Sequence, residues 1–562
     1  MITHENKKRE EPVILQEAVS SIESLRWVIS DMSWDYGVGN FFQNGIPFSY
    51  TTSKTFGKNI LECLKLLEST EANLSIVECG AGIGLLGRNT LDVIQKEDKK
   101  IYDRLTYHIS EYSEEMIDQM NALNIYQEHQ DKVHLFQDDF LNSKIDLNSN
   151  LTILTYVWDS LPSRHIVVKD GEIYEVLVET HLGVNHSVLD TTKGSPHFLS
   201  EEEIKRGVAN PEKLRKISRR LIPFLKEAYH LNPINKTKMQ RKERTALDAF
   251  VADNPSDKAI SFNYNFAFEK AIRQCIENLT EGHGILIFDF GHTKDYTNKS
   301  WVTPYGSVCF YACCFTHLEW IVSQYDVTLY QTVTPEGSSR AFLIHKQDYS
   351  PLREEQFKRI FERKKEAQWA VERDRIRRTA FKTSTELSSR LDQLNGYVQY
   401  EYSLLYNLSA YYIEKGHAEL ALTCAIKLDK EYGQISSDVQ YILGKIYHLK
   451  GQNDKAVQRY NRALEYDKYH VFSQKELAKI YLEQKDYKHY LKSMKCYLDS
   501  LGTFKKTDWE EYLLWVMLNA LYGNKTQAKK DLRWLSSKRK KRVPAEIQKK
   551  AKAVMYEIEQ HG

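Results

Sequence analysis

Apolar runs of strand length alternate with amphipathic segments from about Ile22 to His345. The candidate strands are Leu74–Cys79, Leu105–Glu111, Lys132–Gln137, Leu151–Val157 and Gly284–Phe290. Continuous apolar runs separated by helix-length segments predict buried parallel strands in an α/β sheet. Asp326–Val333 and Ala341–Lys346 follow with PEGSS between them, which predicts an antiparallel hairpin closing the sheet edge.

Two segments break this rhythm. Residues His165–Val178 carry Asp170-Gly171 between two alternating runs, a strong hairpin signal. From about 197 to 252 the pattern is helical and highly charged, an insertion ahead of a helix expected over residues 260–279. Insertions at this place in an open α/β sheet usually sit over the ligand crevice, so a lid or substrate platform is expected.

Residues 351–395 switch to dense alternating charge at helical spacing, which predicts an exposed connecting helix. Beyond it, from 396 to 560, the pattern repeats. Ser409, Gly444 and Ala478 fill one small-residue slot, and Tyr412, Tyr447 and Tyr481 follow each three residues later. The offsets, 35 and 34 residues, match the tetratricopeptide (TPR) period of ~34. A degenerate fourth unit is expected over residues 509–535. Stacked helix pairs of this kind share a core and leave a concave surface, here expected to bind a protein or peptide partner.

Composition narrows the picture. Hydrophobic residues make up 42% and charged residues 27%, and 78 basic against 76 acidic residues leave a net charge of +2. That balance gives no electrostatic reason to expect nucleic acid or a membrane surface as partner. The first 21 residues read as a tail without a signal-peptide core, and eight unpaired-looking cysteines fit a reducing, cytoplasmic setting. Cys309, Cys313, Cys314 and His317 fall as if on one helix, where core packing is a better expectation than metal. The basic run Ser536–Val543 reads as a solvated helix end.

The chemistry concentrates in VECGAGIGLLGRN, Val77–Asn89. Gly82, Gly84 and Gly87 spell the dinucleotide pattern, while Glu78, Gly80, Gly82 and Gly84 spell that of S-adenosylmethionine (SAM) enzymes. Both need glycine because a Cβ would block close approach of backbone to ligand. An amphipathic helix before the strand, an acid at Glu111 that is late for a dinucleotide fold, and the terminal hairpin favour SAM over NAD. The expected architecture is a class I SAM-methyltransferase, Rossmann-like α/β sheet with a helical insertion, followed by an all-α TPR solenoid. Glu78 is expected to orient the loop, and Gly80, Gly82 and Gly84 to give close approach. Glu111 would accept from the ribose hydroxyls, and Asp138 or Asp139 from the adenine amino group, with helix capping as the competing role for the aspartates. Asp159 and Asp289, at strand ends, are candidate acceptor contacts, with turn capping the alternative.

Several segments together resemble the MidA-like methyltransferase family, which includes a mitochondrial protein arginine methyltransferase. They are SYTTSKTFG, VECGAGIG, HISEYS, WDSLPSRHIVVKDGEIYEVLV and ILIFDFG, spread over roughly Trp27 to Lys346. Ser53, Phe56, Gly57, Glu78, Glu111, Ser113, Asp159, Leu161, Pro162, Asp289 and Gly291 fall on the family's pattern. The resemblance implies SAM as cofactor and a protein arginine as acceptor. Two positions depart from it: Thr155-Tyr156 stands for the family's Asn-Glu, and Tyr50-Thr51 for its Pro-Glu. A catalytically degenerate TPR scaffold and a small-molecule methyltransferase are the alternatives.

Overall fold

The computed structural model describes residues 13–34, 48–69, 71–143, 149–183, 201–293, 302–305, 308–334, 338–362, 367–468, 470–500, 506–536 and 543–560. The chain opens with β1 (Val13–Ser20), α1 (Leu25–Trp34) and α2 (Lys54–Leu66). Then come β2 (Leu74–Cys79), α3 (Leu85–Glu97), α4 (Lys99–Arg104), β3 (Leu105–Glu111), α5 (Glu114–Ala122), β4 (Val133–Gln137) and β5 (Leu151–Thr155). β6 (Arg164–Lys169) and β7 (Glu172–Leu182) form the hairpin. The insertion holds α6 (Glu201–Val208), α7 (Pro211–Leu221), β8 (Leu225–Pro233) and α8 (Arg241–Asp253). β9 (Ile260–Tyr264), α9 (Phe266–Glu277) and β10 (Gly284–His292) return to the main sheet. The domain ends with β11 (Val302–Tyr305), β12 (Val308–Tyr311), β13 (Cys313–Cys314), α10 (Phe315–Val322), β14 (Thr328–Gln331) and β15 (Ser338–His345).

The main sheet is mixed, in the order β14-β15-β10-β5-β2-β3-β4, with β13 added beside β10. β4, β3, β2, β5 and β10 run parallel, and β15 lies antiparallel between β10 and β14. The strand ends predicted for β2 and β3 are the observed ones. These interior strands are apolar on both faces because helices cover both, which is why they read as unbroken runs.

A second, antiparallel sheet was only partly anticipated. The Asp170-Gly171 turn is a hairpin turn with φ of 53° and 77°, and β6-β7 sits between β9 and β1, with β8 pairing β7. Three expectations are corrected here. The segment assigned as an N-terminal tail supplies β1, the insertion contains the nine-residue strand β8, and residues 260–279 are a strand followed by a helix. The strand gives way to helix at Asn265, whose side chain accepts the Phe268 N–H at 2.8 Å as an N-cap.

The charged stretch after residue 350 is also corrected. It is three helices, α11 (Pro351–Ile360), α12 (Gln368–Arg378) and α13 (Ser384–Asp392), whose Phe357, Ile376, Leu387 and Leu391 are buried in the largest apolar cluster. An all-helical region follows, in sequential pairs: α14 (Tyr402–Glu414) with α15 (Ala418–Tyr432), α16 (Ser437–Leu449) with α17 (Asn453–Tyr466), α18 (Val471–Glu483) with α19 (Tyr487–Ser500), and α20 (Lys506–Tyr522) with α21 (Lys525–Leu535). α22 (Ala545–Gln560) packs on the last pair. Most of the basic run Ser536–Val543 lies outside the described residues.

This helical region is fused to the sheet domain rather than tethered to it. Phe48 stacks on Tyr402 at 3.9 Å, Lys54 pairs with Glu431 at 2.8 Å and Asp92 at 3.1 Å, and Thr55 donates to Glu401 at 2.7 Å. Burial pushes the Glu401 carboxyl up to about 7. Among the described residues no helix is long and apolar enough to cross a membrane.

Candidate functional site

The carboxyl ends of β2, β3, β4 and β5 open into a cleft of about 400 Å³. Open α/β sheets bind ligands at this end, where the strand order reverses direction. Here the reversal falls between β2 and β5, and the glycine loop leaves β2 at that point.

Gly80, Gly82 and Gly84 all have left-handed φ, at 66°, 59° and 74°. Gly84 also caps α3, and a Cβ there would stand 2.4 Å from the Tyr126 hydroxyl and 2.6 Å from Met120 Sδ. A side chain therefore fails twice at Gly84, by conformation and by space. Gly80 and Gly82 line the cleft; Gly84 stands behind its wall and sets the turn.

Glu78 is 2% exposed, and its Oε2 accepts the Tyr107 hydroxyl at 2.8 Å. Its carboxyl also accepts the Gly87 backbone N–H, so it ties β2 to the first turn of α3. Burial, reinforced by the neighbouring Glu111 charge, pushes it up to about 8. Glu111 closes β3, with Oε2 accepting the Gly82 N–H at 2.8 Å and Oε1 the Ser113 N–H at 3.0 Å. Burial raises its carboxyl too. A carboxylate has about four acceptor sites, so Glu111 can hold the loop and still accept from a ligand.

Asp138 lines the cleft with Oδ2 accepting from the Ser143 hydroxyl at 2.6 Å. Asp139 lines it too and caps the short turn Phe140–Asn142, accepting from Leu141 N–H at 3.0 Å and Asn142 Nδ2 at 2.8 Å. Both candidates for the adenine amino group thus line the cleft.

Asp159 and Asp289 are not in the cleft. They are 3% and 0% exposed and face each other beneath its floor. Asp289 Oδ2 accepts the Trp158 N–H at 3.0 Å and the Asp159 N–H at 3.3 Å, and Oδ1 accepts the Phe290 N–H at 2.8 Å. Burial pushes Asp289 up to about 7, and burial with the Asp289 charge pushes Asp159 well above the carboxylate range. Their placement corrects the expectation of acceptor contact. Asp289 holds the turn that carries Ser160, Leu161 and Pro162 into the cleft wall.

The expected lid is corrected as well: no residue of α6, α7, β8 or α8 lines the cleft. Its outer wall comes from a source sequence reasoning missed, α1, through Trp27, Asp31 and Trp34, with Phe310 of β12. Ser30 accepts the Cys309 N–H at 2.8 Å, and Trp27 packs on Tyr311 at 5.8 Å, which fix α1 against β12. The insertion supports this wall from behind, with Leu25 and Ile29 sharing an apolar cluster with Leu214, Leu221 and Phe224. The i, i+4, i+7 spacing on α1 was the available signal, one stripe of a helix.

At the two departing positions Thr51, Thr155 and Tyr156 line the cleft, and Tyr50 packs beside them. Tyr156, at φ 53°, meets Phe288 edge-on at 5.9 Å and reaches Ser339 Oγ at 3.1 Å. Tyr50 lies 6.0 Å from the same Phe288, and its hydroxyl accepts from Asn59 Nδ2 at 2.7 Å. Cys309 and Cys313 lie on strands and His317 on α10, so they do not share a helix. Among the described residues no group of three His, Cys, Asp or Glu side chains is placed to hold a metal.

Residues 55–317 match a family model described as "Putative S-adenosyl-L-methionine-dependent methyltransferase". No curated protein matches the chain. Among solved structures, an uncharacterised Burkholderia thailandensis protein is 11% identical over 60% of this chain and 90% of its own, at a TM-score of 0.39. A second B. thailandensis protein, bound to S-adenosyl-homocysteine, is 11% identical over 56% of this chain and 80% of its own, at 0.35. The glycine cradle, the acid at the end of β3 and the family match make this part of the chain an S-adenosylmethionine-dependent methyltransferase domain.

Proposed function

We propose that the chain is a MidA-like protein methyltransferase whose acceptor is an arginine side chain, with a TPR array that presents the substrate. The observation that carries this reading is the turn Trp158–Pro162. Its Ser160, Leu161 and Pro162 line the cofactor cleft, and it runs directly into the β6-β7 hairpin, the element by which the sequence resembles that family. Bound SAM supplies a methyl group activated on a sulfonium. Gly80 and Gly82 admit it to the loop, Glu111 accepts from its ribose and Asp138 from its adenine. Support for the TPR reading comes from the small-residue slot: Ser409 and Ala478 are 0% exposed, and a Cβ on Gly444 would stand 2.5 Å from the Tyr460 ring.

The test combines binding with turnover. S-adenosyl-homocysteine at 100 times its Kd raises stability by about 2.7 kcal/mol, a visible rise in melting midpoint that Gly82→Val abolishes and NAD does not reproduce. Methyl transfer from SAM to arginine peptides, read as a mass gain of one methyl, completes the reading. Transfer only to metabolite mixtures refutes the protein acceptor.

A further inference from the structure

One short turn of the cleft wall is held at both ends by the helical region. Tyr50–Thr52 form a single tight helical turn, and Ser49, Thr51 and Thr52 bring their side chains to the cleft lining. A turn this short carries too few hydrogen bonds to fix its own place, so its flanking anchors decide where those side chains stand. On the N-terminal side Phe48 is buried, stacked on Tyr402 at 3.9 Å and edge-on to Tyr432 at 5.6 Å. On the C-terminal side Thr55 donates to Glu401 at 2.7 Å, and Ser53 lies within hydrogen-bonding reach of the same carboxyl. Glu401 directly precedes α14, Tyr402 opens it and Tyr432 ends α15, so one helix pair grips both ends. The grip is itself braced: Tyr402 meets Tyr432 edge-on at 5.3 Å, and the Tyr432 hydroxyl donates to the Tyr400 carbonyl at 2.9 Å.

The turn is in direct contact with the cofactor loop's own helix. Asn89 Nδ2, on α3, donates to the Thr52 carbonyl at 2.6 Å. A Cβ on Gly57 would stand 2.9 Å from Thr90 Cα, so α2 and α3 meet almost backbone to backbone and shift together. Gly84, the last glycine of the cradle, caps α3, and Arg88 in the first turn lies over the Tyr432 ring at 5.9 Å. The pair α14-α15 thus reaches the cleft wall and the helix behind the glycine loop, although Glu401, Tyr402 and Tyr432 do not line the cleft.

We infer that Tyr402 and Glu401 are positioning residues for the cofactor site. Acting through Phe48 and Thr55, they set the Ser49–Thr52 wall in the place that SAM requires, which makes the first helix pair part of the cofactor-binding machinery. This role rests on the SAM-dependent methyltransferase domain and not on the arginine acceptor.

The experiment titrates the full chain calorimetrically with S-adenosyl-homocysteine, well below the melting midpoint of each variant. Tyr402→Leu removes the stack and should weaken binding about tenfold or more, while Tyr402→Phe keeps it and should stay within about twofold of wild type. Thr55→Val, close to threonine in shape, removes only the hydroxyl and should weaken binding about threefold or more. Leu443→Ala separates positioning from stability: it opens a cavity in the same apolar cluster, on α16 rather than on the gripping pair, so the midpoint falls while affinity stays within about twofold. In a Phe48→Leu background, Tyr402→Leu should cost less than about twofold more, since the contact through which it acts is already gone. Affinity within about twofold of wild type in either Tyr402→Leu or Thr55→Val overturns the inference. So does an equal loss in Tyr402→Phe or Leu443→Ala, or a Tyr402→Leu loss undiminished without Phe48. Should Tyr402→Leu fail to fold, Thr55→Val decides alone.

Discussion

Glu78 offers the sharpest quantitative test of the site's electrostatics. Its carboxyl is pushed from an ordinary 4.5 to about 8, mainly by burial. A carboxyl that binds its proton more tightly when folded stabilises the fold fully below about pH 4.5, and that stabilisation is lost as pH rises through about 8. Each unit of difference is worth 1.36 kcal/mol, so the linkage relation leaves roughly 2.7 kcal/mol at pH 6 and almost none at pH 9. Glu78→Gln keeps an acceptor for the Tyr107 hydroxyl and the Gly87 N–H but cannot ionise. The difference in unfolding free energy between wild type and Glu78→Gln, from urea titrations, should therefore move by about 2.7 kcal/mol in the variant's favour between pH 6 and pH 9. Other titrating groups, Asp289 and Glu401 among them, are present in both proteins and largely cancel. A difference that moves by less than about 0.5 kcal/mol would mean that Glu78 is already ionised at pH 6, and the electrostatic reasoning here would fall with it.

Gly84→Ala should lower stability by about 2–4 kcal/mol in urea unfolding, combining the left-handed conformation with the crowding against Tyr126 and Met120. Glu111→Ala orphans the Gly82 and Ser113 N–H groups, so S-adenosyl-homocysteine affinity should fall about tenfold or more by calorimetry, with a melting midpoint lowered even without ligand. Lys54→Met leaves Asp92 and Glu431 facing each other without their shared cation and should cost about 2 kcal/mol, a loss that Glu431→Gln in the same chain should partly repair.

What could be read from the sequence divides along physical lines. β2 and β3 announced their ends because both faces are buried and a glycine loop or a capping Ser113 follows. β8 stayed hidden because it is largely exposed along its length, so Leu225–Pro233 carries Lys, Glu, His and Asn where a core strand carries valine or isoleucine. β9 merged into the next helix because its apolar Ile260, Phe262 and Tyr264 are followed at once by Phe266 and Phe268, and only the capping geometry at Asn265 separates the two. The cofactor side of the cleft was legible since its residues sit at strand ends in one contiguous motif. The outer wall was not, because α1 reaches the cleft from well before the glycine loop through contacts with β12 and the insertion. Asp159 and Asp289 misled for a related reason: a strand-end position does not say on which side of the backbone the carboxylate falls, and here both are buried, that of Asp289 on the Trp158 and Asp159 N–H groups.

The seam between α2, α3 and the helical region has a practical consequence for anyone who would divide this protein. A cut near residue 350 looks natural on a linear map, yet one apolar cluster runs from Phe56 and Ile60 of α2 through Phe357 and Leu391 to Leu405 and Leu443. A fragment ending there would turn that interior outward, exposing a contiguous apolar face and leaving Lys54 without Glu431. Such a fragment should clump rather than catalyse. The two halves are separate in topology but share one fate in folding, and the smallest working piece of this enzyme extends well into its helices.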